Sequence, residues 1–88
     1  MKTIVVNRSI HSFDVYIGRG SKWGNPFVIG KDGDRDEVCD KYEKWFWKQN
    51  DLFPAISELE GKRLGCFCKP KRCHGDFLAR LVNEELHD

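Results

Sequence analysis

Residues 64–76 have the sequence LGCFCKPKRCHGD, in which a short apolar run leads through a basic turn into the start of a helix. Three of the four cysteines and one of the three histidines fall between Cys66 and His74. Cys66 and Cys68 are two apart, so on a strand their side chains share one face. Cys73 and His74 fall where a helix begins, beside free amide donors and the positive end of the helix dipole. Soft metal ligands, nucleophiles and anion-binding groups therefore converge on one part of the chain.

The elements around this stretch predict an α/β fold. Apolar and β-branched runs predict strands at residues 3–6, 13–17, 27–29 and 62–68. Helical spacing of apolar residues predicts helices at about 34–49, 51–61 and 75–86. A capping box at Asp34 and Glu37 begins the first helix, and Asp51 can cap the second. We expect one compact domain over residues 1–88, with a small sheet of three or four strands packed with about three helices.

The composition is typical of a globular domain rather than of a nucleic-acid-coating or membrane protein. The 88 residues are 40% hydrophobic and 33% charged, with a net charge of +1. That small net charge argues against a broad nucleic-acid-binding surface. No apolar run approaches the roughly 18 residues of a membrane helix, and the apolar residues after Met1 are too few for a secretory signal. We therefore expect a cytoplasmic protein, whose clustered cysteines bind metal or react rather than form disulfides.

The cysteine segment has the ligand types of a zinc site. Zinc binds about four soft or borderline ligands near the corners of a tetrahedron. Four residues can supply them: Cys66, Cys68, Cys73 and His74. Neighbouring Cys73 and His74 point in different directions, so Cys39 or His11 could substitute for one of them. The spacing is not that of paired C-x2-C motifs, and zinc binding stays one hypothesis among several.

The same segment also fits a catalytic thiol. Cys66 and Arg72 have the C-x5-R spacing of a cysteine-phosphatase loop. Alternatively, Cys73 is the reactive thiol at a helix N-terminus beside His74, and Asp76 orients that histidine. The remaining alternative is structural: both strand cysteines are buried small side chains, His74 caps the helix and Asp76 favours its first turn.

The second unusual segment is residues 18–27, GRGSKWGNPF, which follows a predicted strand. Its glycines would let backbone amides approach a phosphate, while its side chains offer charge, hydrogen bonds and a stacking face. The candidate ligand-binding residues of this loop are Arg19, Gly20, Ser21, Lys22, Trp23 and Asn25. Parallel strand pairing would place the loop beside the cysteine segment, where Arg72 and Gly75 complete the predicted pocket. The alternative is a tight turn with Trp23 and Phe27 in the core.

Both segments resemble the signature of a small uncharacterised family. Residues 18–27, together with GCFCKP at 65–70 and CHGD at 73–76, are similar to motifs of a bacteriophage and bacterial domain of unknown function. The resemblance extends over nearly the whole chain, and Phe67 stands where that family usually has Trp. It implies that the two motifs form one site. It also implies a phage origin and a role in nucleotide or DNA metabolism or host defence.

Three functions are compatible with these residues. The leading hypothesis is binding of a phosphate-containing ligand, a nucleotide or a nucleic-acid end, with basic side chains on the phosphate and Trp23 stacked on a base. The second is a zinc-stabilised module that binds a host or phage protein through Trp47 and the first helix. The third is hydrolysis of a phosphoester or nucleoside by a thiolate of Cys66 or Cys73. Whether the protein is an enzyme stays open at this point.

Overall fold

A computed structural model describes residues 2–86, which form a three-stranded sheet, two α-helices and one 3₁₀ helix. The strands are β1 (Ile4–Asn7), β2 (Val15–Tyr16) and β3 (Arg63–Cys66). The helices are α1 (Arg35–Phe46), the 3₁₀ helix (Pro54–Leu59) and α2 (His74–Leu86). The predicted α/β fold, a small sheet packed with three helices, is confirmed.

The last strand of the sequence lies in the centre of the sheet. β3 pairs with β1 on one side and β2 on the other, and both pairings are parallel. Leu64 of β3 is fully buried, as expected for a strand with a neighbour on each side. The carboxyl ends of the three strands meet at one edge of the sheet. The chain segments that follow β2 and β3 therefore emerge side by side, as a parallel pairing predicts.

The first helix begins with the predicted capping box. The Asp34 side chain accepts a hydrogen bond from the Glu37 amide, and the Glu37 carboxylate accepts one from the Asp34 amide, each at 2.9 Å. The helix ends at Phe46, earlier than the predicted residue 49. The amides of residues 48 and 49 donate to carbonyls three positions back, so the chain tightens there instead of continuing the α-helix.

One predicted strand, at residues 27–29, is wrong. The side chain of Asp32 accepts a hydrogen bond from the Val28 amide at 2.8 Å. The Val28 carbonyl accepts from the amides of Lys31 and Asp32. These bonds form a local turn and occupy the backbone groups that a sheet would need.

Two other element boundaries differ from the predictions. The second helix is a 3₁₀ helix with Phe53, not Asp51, at its N-cap, and Pro54 sets its first turn. β3 ends at Cys66, so Cys68 lies in the turn after the strand rather than on the strand. The Lys69–Pro70 peptide within this turn is cis.

The core lies between the sheet and the three helices, and α2 packs against β1, β3, α1 and the 3₁₀ helix. Its members include aromatic and aliphatic side chains from the sheet, the loop and the helices: Ile17, Trp23, Tyr42, Phe46, Leu59, Leu64, Phe77, Leu78 and Val82. The Tyr42 hydroxyl donates to the Trp23 carbonyl at 2.8 Å and fastens the glycine-rich loop to α1. Within residues 2–86, no helix has both the length and the apolar character needed to cross a bilayer.

Candidate functional site

The two unusual segments line one cleft at the carboxyl edge of the sheet. The cleft has a volume of about 430 Å³, and its walls include Gly18 and Arg19 of the loop as well as Cys66, Cys73 and His74. Its size falls in the usual range for small-molecule sites, roughly 300–1,000 Å³. The sequence placed these two segments together through parallel strand pairing, and their positions in the structure agree.

The chemical character of the cleft is cationic and aromatic. Among the described residues, three arginines and no aspartate or glutamate line it. Its aromatic walls are Tyr16, Phe27 and Phe67. Arg8 lies just outside, with its guanidinium 4.8 Å from the Tyr16 ring centroid and 4.7 Å from that of Phe67. Its charge and shape are those of a site suited to an anion that also carries a planar or apolar part.

Three cysteine side chains converge on one wall of this cleft. The Sγ atoms of Cys66, Cys68 and Cys73 all lie within 4.8 Å of one another, close enough to hold a metal ion. Cys66 is the last residue of β3, and Cys73 directly precedes α2. The turn between them is closed by a 2.7 Å hydrogen bond from the Lys71 amide to the Cys68 carbonyl. The strand end, the turn and the helix start thus bring the thiols together.

Two of these thiols contact each other directly. The thiols of Cys66 and Cys73 share a hydrogen bond, with 3.2 Å between their Sγ atoms. This bond, followed by the amides of Cys68 and Lys69, lowers the pKa of Cys66 to about 6, although burial acts in the opposite direction. The same bond and its own burial raise the pKa of Cys73. The pKa of Cys66 is thus lowered and that of Cys73 raised relative to an ordinary thiol.

His74 is buried next to the cysteines but is not one of the converging ligands. Its Nε2 lies 2.6 Å from the carbonyl oxygen of Ile17, so this nitrogen carries a proton and donates. Burial lowers the pKa of His74 and keeps the ring neutral. The ring also packs edge-on against Tyr42. Of the four predicted metal ligands, the three cysteines converge and His74 does not. Cys73 and His74 point in different directions, as the sequence predicted.

Asp76 serves the helix start rather than the histidine. One carboxylate oxygen accepts from the Cys73 amide at 3.2 Å, and the other lies 2.5 Å from Nζ of Lys69. Among the described hydrogen bonds of Asp76 there is none to His74. The predicted catalytic set of Cys73, His74 and Asp76 is adjacent in space, but its members are each bound to other groups.

Gly75 has a packing role instead of the predicted ligand contact. A Cβ at this position would lie 2.6 Å from Cδ1 of Ile17 and 3.1 Å from a methyl group of Val5. Only glycine lets the start of α2 approach the sheet this closely. The position supports the cleft wall without lining the cleft.

Most of the side chains predicted in the glycine-rich loop are committed to the fold. Trp23 is 2% exposed and lies in the core, so its ring has no free face for a base. Lys22 pairs with Glu58 at 2.8 Å. The Ser21 hydroxyl donates to the Gly18 carbonyl at 2.7 Å, and exposed Gly20 supplies a turn with φ of 96°. The prediction that Trp23 stacks on a ligand is wrong, and the alternative with this ring in the core is correct.

Arg19 and Asn25 are the predicted loop residues that do reach the cleft. The Asn25 amide donates to the Val38 carbonyl at 3.1 Å and accepts from the Phe27 amide at 2.9 Å, so it ties the loop to α1. Arg19 is exposed and, within the described residues, forms no ion pair with a carboxylate. Its guanidinium is the loop cation available to a ligand.

Arg72 borders the cleft but is bound to α1. Its guanidinium pairs with Asp40 at 2.9 Å, with Asp36 at 3.1 Å and with Glu43 at 3.5 Å. The hydrogen bonds to Asp40 and Asp36 raise the pKa of Arg72. Because three carboxylates surround this charge, the predicted phosphate contact of Arg72, and with it the phosphatase-like C-x5-R arrangement, has no support in the geometry.

Sequence reasoning missed Arg35, the second available cation of the cleft. It is the first residue of α1, lines the cleft, and donates through Nη1 to the Arg72 carbonyl at 3.1 Å. Its position follows from the packing of α1 against the cysteine turn. The only hint in the sequence is its place directly after the capping residue Asp34.

Trp47 forms a separate aromatic surface at the end of α1. It is 55% exposed, and its ring packs against Phe46, Phe53 and Phe77 at centroid distances of 5.2–6.2 Å. The ring contacts Phe53, just before the 3₁₀ helix, and still has an exposed face. The surface that a partner-binding role would need is therefore present.

The chain is similar to a known family and to viral proteins. Residues 5–84 match a family described as Domain of unknown function (DUF4326). The chain belongs to this family. The DUF4326 match covers both lining segments of the cleft, in agreement with the resemblance drawn from their motifs.

Two relatives of this DUF4326 chain come from viruses. It is 44% identical over 89 residues to an uncharacterized 12.4 kDa protein in the nrdA-td intergenic region of Enterobacteria phage T4, which covers 96% of this chain and 81% of the relative. It is 39% identical over 93 residues to uncharacterized protein R718 of Acanthamoeba polyphaga mimivirus, which covers 85% of this chain and 71% of the relative. No solved structure matches the chain.

Proposed function

We propose that the cleft binds a phosphate-containing ligand of nucleotide size, such as a nucleotide or a nucleic-acid end. The observation that carries this proposal is a cleft of about 430 Å³ that joins both motifs and, among the described residues, is lined by arginines without any acidic side chain. A phosphate gains from such surroundings because guanidinium groups bind it through charge-assisted hydrogen bonds.

The residues assigned to the ligand differ from those expected from the sequence. Arg19 and Arg35 hold the phosphate, because Lys22 and Arg72 are paired with carboxylates. The aromatic rings of Tyr16 and Phe67 take the stacking role, because Trp23 is buried. Base–aromatic stacking contributes roughly 1–3 kcal/mol per base, enough to select a nucleotide over inorganic phosphate.

A second candidate function is zinc binding by the cysteine trio. Thiolate is the ligand type that zinc prefers, and sulfurs in a tetrahedral zinc site lie roughly 3.8 Å apart when each Zn–S bond is about 2.3 Å. Small rotations of Cys66, Cys68 and Cys73, now within 4.8 Å of one another, reach that spacing. In the reducing cytoplasm, where we expect the protein to act, these thiols stay available to metal.

The remaining hypotheses have weaker support. A module that binds a host or phage protein would use the exposed Trp47, but no described residue identifies the partner. Hydrolysis by a Cys73 thiolate is disfavoured because its hydrogen bond to Cys66, together with burial, raises the pKa of Cys73. A hydrolytic role would fall to Cys66, whose side chain is 2% exposed.

The ligand proposal is tested by titration calorimetry with mononucleotides and inorganic phosphate. We expect Arg19→Ala and Arg35→Ala each to weaken nucleotide binding about tenfold or more, the effect of losing one charge-assisted hydrogen bond of roughly 1.5–3 kcal/mol. Lys22→Ala is the matched control, since it removes a cation from the same loop but one that faces Glu58.

We expect the two arginine variants to bind nucleotide more weakly and the Lys22→Ala control to bind it as the wild type does. Binding that weakens equally in all three variants would show a non-specific charge effect and contradict the assignment. The absence of nucleotide or phosphate binding by the wild-type protein at millimolar concentration would refute the proposed ligand class.

A further inference from the structure

We propose that a metal ion held by Cys66, Cys68 and Cys73 keeps one coordination position open towards the cleft, where it binds water or an oxygen of the anionic ligand. This inference deepens the proposed function and rests on its zinc-binding part. It assigns the trio to the class of metal sites that bind a ligand, and not to the closed sites that only stabilise a fold.

The first support is the number of ligands that converge. Closed zinc sites have four protein ligands, whereas sites with an exchangeable position have three. Among the described residues, one group of three His, Cys, Asp or Glu side chains is close enough to hold an ion, and it consists of these cysteines alone. His74, the nearest further candidate, donates from Nε2 to the Ile17 carbonyl at 2.6 Å.

The second support is the position of Cys39, the remaining cysteine. Cys39 also lines the cleft but is not one of the group of sulfurs within 4.8 Å. It is carried by α1, which Arg72 holds to the cysteine turn through Asp40 at 2.9 Å. Asn25 binds the Val38 carbonyl beside it at 3.1 Å. A closed four-cysteine site would require the Cys39 sulfur to move towards the other three, by a change of rotamer or by a shift of α1 against these bonds.

The third support is the direction in which the open position faces. All three cysteines border the cleft, so the side of an ion away from the thiols faces the same space as Arg19 and Arg35. Three thiolates around a divalent ion leave a net negative centre that would repel an anion. The two arginines offset that charge, and they make an anionic oxygen, such as that of a phosphate group, a suitable fourth ligand.

The experiment uses the full chain loaded with Co²⁺, which replaces zinc in thiolate sites and absorbs visible light. We expect one cobalt per chain with thiolate-to-cobalt charge-transfer absorption. This absorption should have the same intensity in wild type and Cys39→Ser, and should be lost or strongly reduced in Cys68→Ser. Thermal melts identify any variant that fails to fold, and Cys39→Ala serves as a second variant at that position.

The open position is then probed with imidazole and with inorganic phosphate. We expect the ligand-field bands of the cobalt protein to shift in a saturable way with at least one of these probes. An unchanged spectrum with both would overturn the inference. A charge-transfer intensity that falls by about a quarter in both Cys39 variants would overturn it in favour of a closed four-thiolate site.

The results that would refute this inference differ from those that would refute the proposals on which it rests. A protein that takes up no cobalt or zinc refutes the metal site itself, and with it this inference. The nucleotide proposal is then judged separately, by the calorimetric response of Arg19→Ala and Arg35→Ala.

Discussion

The glycine-rich loop and the cysteine segment face each other across one cleft, yet they use their side chains differently. In the loop, Trp23 is in the core, Lys22 pairs with Glu58, and Asn25 is bonded to α1. In the cysteine segment, three thiols converge, and two of them are hydrogen-bonded to each other. Two motifs with equally unusual composition thus have different roles. The side chains of the loop mainly stabilise the cleft wall, whereas the cysteine segment gathers three thiols beside the cleft.

The strongest test of this difference is Trp23→Ala. Because the ring is 2% exposed in the core, we expect a loss of about 3–5 kcal/mol in the free energy of unfolding, measured by denaturant titration. Trp47→Ala is the matched control, since that ring is 55% exposed and should cost much less. Similar losses of stability from Trp23→Ala and Trp47→Ala would contradict the conclusion that the loop serves mainly to build the fold.

Metal addition tests the zinc binding proposed for the cysteine segment. At a free zinc concentration of about 100 times Kd, we expect the wild-type protein to gain about 2.7 kcal/mol of stability. Cys68→Ser should abolish this gain while leaving the stability of the metal-free protein nearly unchanged, because the Cys68 side chain is partly exposed. The measurement is thermal unfolding with zinc and with a chelator. A zinc-dependent gain that persists in Cys68→Ser would show that the trio is not the binding site.

Gly75→Ala tests whether the cysteine segment also depends on close packing. The added Cβ would lie 2.6 Å from Cδ1 of Ile17, so we expect a loss of about 1–2 kcal/mol after the helical preference of alanine is counted. Ile17→Val removes the contacted atom and should restore part of the loss in the double variant. If the stability losses of the two single variants simply add in the double variant, the contact with Ile17 is not the cause of the Gly75→Ala loss.

The smallest expected effect is that of Lys22→Ala. The Lys22–Glu58 ion pair is about half exposed on both sides, with side-chain exposures of 48% and 54%. Such pairs contribute roughly 0–1 kcal/mol, so the unfolding midpoint should move little and nucleotide affinity should not change. A large drop in nucleotide affinity would show that Lys22 contacts the ligand, and that the loop does more than form the cleft wall.

The sequence predicted the fold through local signals that the structure leaves intact. Apolar runs located β1, β2 and β3, and Asp34 with Glu37 fixed the start of α1. The juxtaposition of the two motifs followed from parallel pairing. The strand at 27–29 failed because an aspartate four residues beyond Val28 bonds its amide, a competition that a β-branched run does not reveal.

Within the site, residue type was predictable but side-chain direction was not. Cysteine spacing placed Cys66, Cys68 and Cys73 in one cluster, since all three lie close in sequence. Trp23 and Arg72 were assigned to a ligand because tryptophan can stack and arginine can bind phosphate. The Tyr42 hydroxyl that binds the Trp23 carbonyl is 19 positions away in the sequence, and the carboxylates that bind Arg72 are 29 to 36 positions away. Pairings over such distances depend on tertiary packing.

The central position of β3 sets the order in which this domain can assemble. Every strand pairing joins the first sixteen residues to residues 63–66, and β1 and β2 never pair with each other. A nascent chain that has not yet reached residue 63 therefore has no ladder to form, however long it waits on the ribosome. The sheet, and with it the cleft and the thiol cluster at its edge, therefore forms only after residues 63–66 have been synthesised.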